Sequence, residues 1–144
     1  MLTKEEKKFC WTEEFSVNVK EIDEQHQEFI RIANSLIDLA DSEIFNKEEA
    51  LIKTGQLGSY AFYHLEAEEE MFAKTGYPEA DEHVRIHNMF REKVNEFMNQ
   101  IRDDKSDKKI LSKEMAIFAG SWLLNHILGI DKKYTKFFNE HGLK

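Results

Sequence analysis

Leu57-Gly58-Ser59-Tyr60-Ala61-Phe62-Tyr63-His64-Leu65-Glu66-Ala67-Glu68-Glu69-Glu70-Met71-Phe72 is the stretch whose reading decides the fold. It is rich in strong helix formers and lacks proline, which predicts a helix. Positions facing a neighbouring helix recur at alternating steps of four and three: Leu57, Ala61, His64, Glu68 and Met71. Such a seam is normally apolar, yet its middle holds an imidazole and a carboxylate. A carboxylate buried without a partner costs several kcal/mol or shifts its pKa until it is neutral. Something must compensate Glu68. A metal ion does so, because His and Glu four residues apart lie one turn apart on one helix face.

Three other segments break their seams in the same way. Ile22, His26, Phe29, Ala33, Leu36 and Ala40 carry a histidine near the start. His83, His87, Phe90, Val94, Phe97 and Ile101 begin with two, and Met115, Ala119, Trp122, His126 and Gly129 carry one near the end. Four predicted helices thus direct five of the six histidines inward. The expected fold is all-α: an antiparallel up-down four-helix bundle with an extended N-terminal segment, a short C-terminal helix and a metal site inside.

Composition agrees. A chain of 144 residues is most simply one domain, 1–144, large enough to bury a continuous core. One proline and six glycines favour long helices over a sheet with many turns. A net charge of −8 argues against nucleic acid and anionic membrane surfaces as partners. No apolar run approaches the ~20 residues needed to cross a bilayer, and the charged N-terminus lacks the apolar core of a secretory signal. Cys10 is the single cysteine; it reads as a small, partly buried hydrophobe in a reducing compartment. The cytoplasm is the expected location.

In chain order, residues 1–10 are charged and expected to be loose. Residues 1–22 form an extended arm pinned by Trp11 and Phe15; its Phe15, Val17 and Val19 alternate like a strand, but no second strand exists to pair with it. The bundle is expected over 23–128, with Asp23 capping the first helix and Asn46, followed by Glu49, opening the second. Gly55 and Gly58 each cost that helix ~1 kcal/mol against alanine, and close packing is the expected reason. Gly76-Tyr77-Pro78 ends the second helix and sets up the third, which starts at about Pro78 or Asp81. Gly129 is expected to end the fourth. A short last helix, 131–140, is capped by Asp131 and docks Tyr134, Phe137 and Phe138 on the bundle.

A lone histidine on a seam is more often a hydrogen-bonded core residue than a ligand, and Asp131 alone is most simply a cap. The combination decides otherwise: His26, His64, Glu68, His83, His87, His126 and Asp131 all fall on inward faces or at one helix end. His83 and His87, four apart, form a ready chelate. His126 and Asp131 are five apart, roughly 140° around a regular helix, so they share a site only if the helix loosens between them. His141 reads as a surface or cap residue. Glu66, Glu69 and Glu70 read as a solvated face, with Glu69 able to orient a ligand histidine.

Five imidazoles and two carboxylates exceed what one ion takes, and they are too histidine-rich for calcium or magnesium. Two octahedral ions offer about twelve positions in all. Five imidazoles, two bridging carboxylates and one bridging oxide or hydroxide fill all but one of them. Iron suits this donor set, and its redox couple gives the open position a use. Zinc, which prefers four ligands, leaves the set in excess.

These residues resemble the hemerythrins, and among them the single-domain bacterial ones. The matching pieces are Ile22-Asp23-Glu24-Gln25-His26, His64-x-x-x-Glu68-Glu69, Gly76-Tyr77-Pro78, His83-x-x-x-His87 and Trp122-Leu123-x-x-His126-Ile127-x-x-x-Asp131, from about Trp11 to Phe138. Departures are small: Leu65 stands where an aromatic often follows the histidine, and Phe72 where methionine is common. The resemblance implies a non-haem di-iron site, two iron ions bridged by oxide or hydroxide, that binds dioxygen reversibly for storage, transport or delivery. By that resemblance His83, His87 and His126 hold one iron, His26 and His64 the other, and Glu68 and Asp131 bridge them. Trp122 and Leu123 are the candidates for an apolar wall around the dioxygen position.

The partner implied is dioxygen, with nitric oxide or small anions competing for the same place; no protein recipient is legible. Neutral imidazoles stabilise high-valent iron poorly, and oxygen-activating bundles use more glutamate. A carrier is therefore expected rather than an enzyme. The alternatives are a di-iron enzyme with peroxidase or nitric oxide-handling activity, or a sensor acting through a separate partner.

Overall fold

The computed structural model describes residues 8–144; the expected loose charged segment therefore lies largely outside the described residues. Four long helices follow one another: α1 (Lys20–Asp41), α2 (Lys47–Thr75), α3 (Ala80–Arg102) and α4 (Lys108–Gly129). A 3-10 turn, Asp131–Tyr134, leads into the short α5 (Thr135–Glu140). Among the described residues there is no strand. Helices of 22 residues are about 33 Å long, whereas the five-residue connections 42–46 and 103–107 reach at most about 20 Å. Successive helices must therefore run antiparallel. α1 and α3 each pack against α2 and α4, which also meet across the bundle.

The seams read from the sequence face inward. Phe29, Leu36, Leu57, Phe90, Ile101, Met115 and Leu123 are fully buried in one core. The turn signals act largely as expected. Asn46 Oδ1 accepts from the Glu49 backbone N–H at 3.0 Å, satisfying an otherwise orphaned donor of α2. Gly76, at φ +69°, terminates α2 in the left-handed region, which a side chain would disfavour. None of the described helices is long and apolar enough to cross a membrane.

Several expectations need correction. Asp23 does not cap α1, which starts three residues earlier at Lys20. Its carboxylate instead accepts from Ser16 Oγ at 2.5 Å and the Val17 N–H at 2.9 Å, closing the turn that feeds the helix. The arm is not wholly extended, since Glu13–Phe15 form a 3-10 turn. Trp11 and Phe15 do pack against the core, half-buried, as expected, and Val17 and Val19 are the fully buried anchors beside them. Cys10 is exposed, not partly buried. The chain beside it is tied down by Phe9, whose N–H donates to Asn34 Oδ1 at 2.9 Å and whose carbonyl accepts from Asn34 Nδ2 at 2.8 Å. The expected end of α4 at Gly129 does hold, with the chain leaving the helix at Ile130 (φ −123°, ψ −56°).

The glycines of α2 and α4 separate by environment. A Cβ on Gly55 would meet nothing within 4 Å, and one on Gly58 would make ordinary contact with Val94 at 3.6 Å. Close packing thus does not explain Gly55. A Cβ on Gly120, by contrast, would fall 2.2 Å from the Phe9 ring, which lies directly over it. Gly55→Ala is expected to stabilise the protein by about 1 kcal/mol, whereas Gly120→Ala must expel the Phe9 ring and is expected to destabilise it. Denaturant unfolding of the two variants checks the opposite signs.

Candidate metal centre

Each helix delivers its share of the site from a seam position. α1 contributes His26, α2 His64 and Glu68, α3 His83 and His87, and α4 His126. Asp131 follows from the 3-10 turn, and all seven side chains are buried. The break at Ile130 is what brings the last two together: His126 Nε2 lies 2.9 Å from Asp131 Oδ1, across the gap a regular helix could not close. Asp131 is accordingly no helix cap, since no side-chain capping bond forms and its oxygens turn inward. Asp131 Oδ1 also lies 3.0 Å from His83 Nε2, and Oδ2 lies 3.3 Å from His26 Nε2.

The seven residues form two overlapping groups. Glu68, His83, His87, His126 and Asp131 make one; His26, His64, Glu68 and Asp131 make the other. Within each group the potential ligand atoms lie within 4.8 Å of one another, and the two carboxylates belong to both. The imidazoles present Nε2 to the centre: His26 and His64 meet at 3.0 Å through these nitrogens, as do His83 and His126. Glu68 Oε1 faces His87 Nε2 at 3.2 Å and His64 Nε2 at 3.6 Å.

Short as these approaches are, the buried atoms Glu68 Oε1, His87 Nε2 and both Asp131 oxygens have no hydrogen-bond partner among the described residues. Leaving such groups unsatisfied costs about 1–3 kcal/mol each, more if charged, so this is the expected signature of atoms arranged for a cation. Imidazole nitrogens with carboxylate oxygens suit iron far better than calcium or magnesium. The residues present therefore fit a pair of iron ions.

Electrostatics supports the same reading. Burial pushes the His64 imidazole down to about 3, so it is held as a neutral donor. Burial and Asp131 would raise Glu68, but the neighbouring His64 and His87 outweigh them and hold it at about 2. Asp131 also lies well below the usual carboxylate range, burial being overcome by His126, His26 and His83. His87 is the counterweight: burial would lower it, yet Glu68 and Glu69 lift it to about 9. Two carboxylates are thus held ionised at the centre, where a cation would meet both.

Around this core stand supporting residues, of which only Glu69 was expected from the sequence to orient a ligand histidine. The Tyr134 hydroxyl, expected only to dock the last helix, donates to Glu68 Oε2. Burial, then Asp131 and Glu68, push that phenol well above its ordinary value, so it stays a donor. Gln25 Oε1 accepts from His64 Nδ1 at 2.8 Å. Glu69 Oε2 accepts from His87 Nδ1 at 2.8 Å and is gripped by Arg91. The available signals were Gln25 beside His26 and Arg91 one turn after His87, but neither spacing says which partner is met.

Trp122 stacks on His126 with ring centroids 4.3 Å apart and on Phe90 at 4.0 Å, while Leu123 is fully buried. His141 is exposed and bonds the carbonyl of Phe137, as expected of a surface residue. Phe72, one of the departures, fills space between His83 and Tyr134, at centroid distances of 4.7 and 5.9 Å.

Fold and site together define a helical-bundle protein with two interior groups of residues that could each hold a metal ion. Residues 17–138 match the family model described as the hemerythrin HHE cation binding domain. Bacteriohemerythrin of Clostridium acetobutylicum is 32% identical over 128 residues, spanning 88% of this chain and 98% of that protein. Myohemerythrin of Theromyzon tessulatum is 32% identical over 127 residues, 88% and 90% of the two chains. The crystal structure of wild-type hemerythrin superposes with a TM-score of 0.81 at 26% identity, covering 89% of this chain and 95% of that one. The chain belongs to the hemerythrin family, a family of di-iron, oxygen-binding proteins.

Proposed function

We propose that this protein binds dioxygen reversibly at a di-iron centre and acts in oxygen storage, transport or delivery, not as an enzyme. His83, His87 and His126 would hold one iron and His26 and His64 the other, with Glu68 and Asp131 shared and an oxide or hydroxide as a further bridge. The observation that carries this reading is the pair of donor groups that overlap in those two carboxylates and in nothing else. Iron held by these residues would supply the electrons for reversible dioxygen binding.

The chain's own residues provide the rest. His64 is a neutral donor, and Tyr134 steadies Glu68 through its hydroxyl. Trp122, stacked between His126 and Phe90, and the buried Leu123 form an apolar wall that limits water. A dry wall supports reversibility, because O–O cleavage needs protons that such a pocket does not deliver.

Exposing the reduced, iron-loaded protein to air is expected to produce a charge-transfer absorption band that vanishes on deoxygenation and returns over repeated cycles. Bleaching in the first cycle, or sustained turnover of peroxide or nitric oxide at a useful rate, would overturn the carrier reading.

A further inference from the structure

The two halves of the centre are supported from behind in different ways. On the three-histidine side, His87 Nδ1 meets Glu69 Oε2 at 2.8 Å. Arg91 grips both oxygens of that carboxylate, Nη1 donating to Oε2 at 2.8 Å and Nη2 to Oε1 at 2.9 Å. Arg91 Nη1 also donates to Asn88 Oδ1 at 3.0 Å, which fixes the guanidinium on α3. On the two-histidine side, His64 Nδ1 is supported only by the neutral amide of Gln25, at 2.8 Å. Among the described residues, His26 Nδ1 is buried without a hydrogen-bond partner.

A carboxylate behind an imidazole raises its donor strength and locks both tautomer and ring orientation before a metal arrives. A bidentate Arg–carboxylate pair is also the stiffest of the common ion pairs. An amide locks orientation but adds no charge, and His26 has not even that. The first position therefore has more imidazoles, a charged support and less ordering left to complete on binding.

Building on the di-iron reading, we propose that Glu69 and Arg91 are positioning residues that make the His83–His87–His126 position take the first metal equivalent, with the His26–His64 position filling second and more weakly. Both act through His87; neither is placed among the ligands.

The test is a stepwise titration of the metal-free protein with Co2+, followed by its ligand-field absorption and by magnetic resonance of the bound ion. Wild-type protein is expected to give a mononuclear spectrum up to one equivalent and a coupled pair beyond it. His26→Ala should retain a first step with its mononuclear spectrum and lose the second. Glu69→Gln should weaken the first step roughly 10- to 100-fold and leave the second nearly unchanged. Arg91→Gln, at a partly exposed side chain, should act in the same direction but less, with Arg91→Lys recovering part of the loss. A first step unmoved by both Glu69→Gln and Arg91→Gln, or one abolished by His26→Ala, overturns the inference. Wild-type protein that takes up no Co2+ at all would instead overturn the metal-centre reading beneath it.

Discussion

Glu68→Ala protein is expected to keep its helices and lose its metal pair. Glu68 belongs to both donor groups, so its removal takes a shared anion from each position at once. Iron per chain, measured on purified protein, should fall from a pair to a small fraction of that, with the far-ultraviolet dichroism retained. The fold survives because the helices are held by the apolar seams below the site, among them Phe29, Leu57, Phe90 and Leu123. In the metal-free state two opposing effects accompany the change. Repulsion between Glu68 and Asp131 disappears, while the buried Tyr134 hydroxyl loses its acceptor, at about 1–3 kcal/mol. Metal-free variant and metal-free wild type should therefore unfold at similar temperatures. His141→Ala is the control: that side chain is exposed and bonds only its own helix, so metal content should not change. Equal iron in both variants would remove Glu68 from the centre.

Stripping the metal from wild-type protein should have the second large effect. A ligand present at about a thousand times its dissociation constant stabilises the folded state by about 4 kcal/mol. In a domain of this size each kcal/mol moves the melting temperature by roughly 2–4 °C, so removal should lower it by on the order of 10 °C. The loss should be larger than for an ordinary surface cation, because the orphaned oxygens of Glu68 and Asp131 lie where water does not reach them. Calorimetry before and after chelation, with Glu68→Ala alongside, reads the effect directly. An unchanged transition would mean that those oxygens are satisfied without a cation.

Much of this was legible in the chain because the signals were local. A seam is a spacing rule, and a polar residue on a seam stands out against its own helix. His26, His64, Glu68, His83, His87 and His126 were all visible in that way, as were the start of α2 at Asn46 and its stop at Gly76. Asp131 was harder, since its spacing from His126 is wrong for a helix and its residue type suits a cap. Only the break at Ile130 turns it inward. The expectation for Gly55 failed for a related reason: a glycine in a helical sequence does not show whether another chain segment lies over it. Phe9 lies over Gly120, far away in sequence, and none of the described residues lies over Gly55.

The chain by itself determined the helices, their order, the faces they bury and the identity of the inward polar residues, because each depends on neighbours within one or two turns. What only the tertiary structure decided is how those residues meet: that two donor groups share Glu68 and Asp131, that Tyr134 reaches Glu68, and that Glu69 and Arg91 stand behind His87 while Gln25 stands behind His64. These contacts join different helices. They are set by the rotation and offset of one helix against another, which side-chain packing fixes and residue spacing along a single helix does not encode.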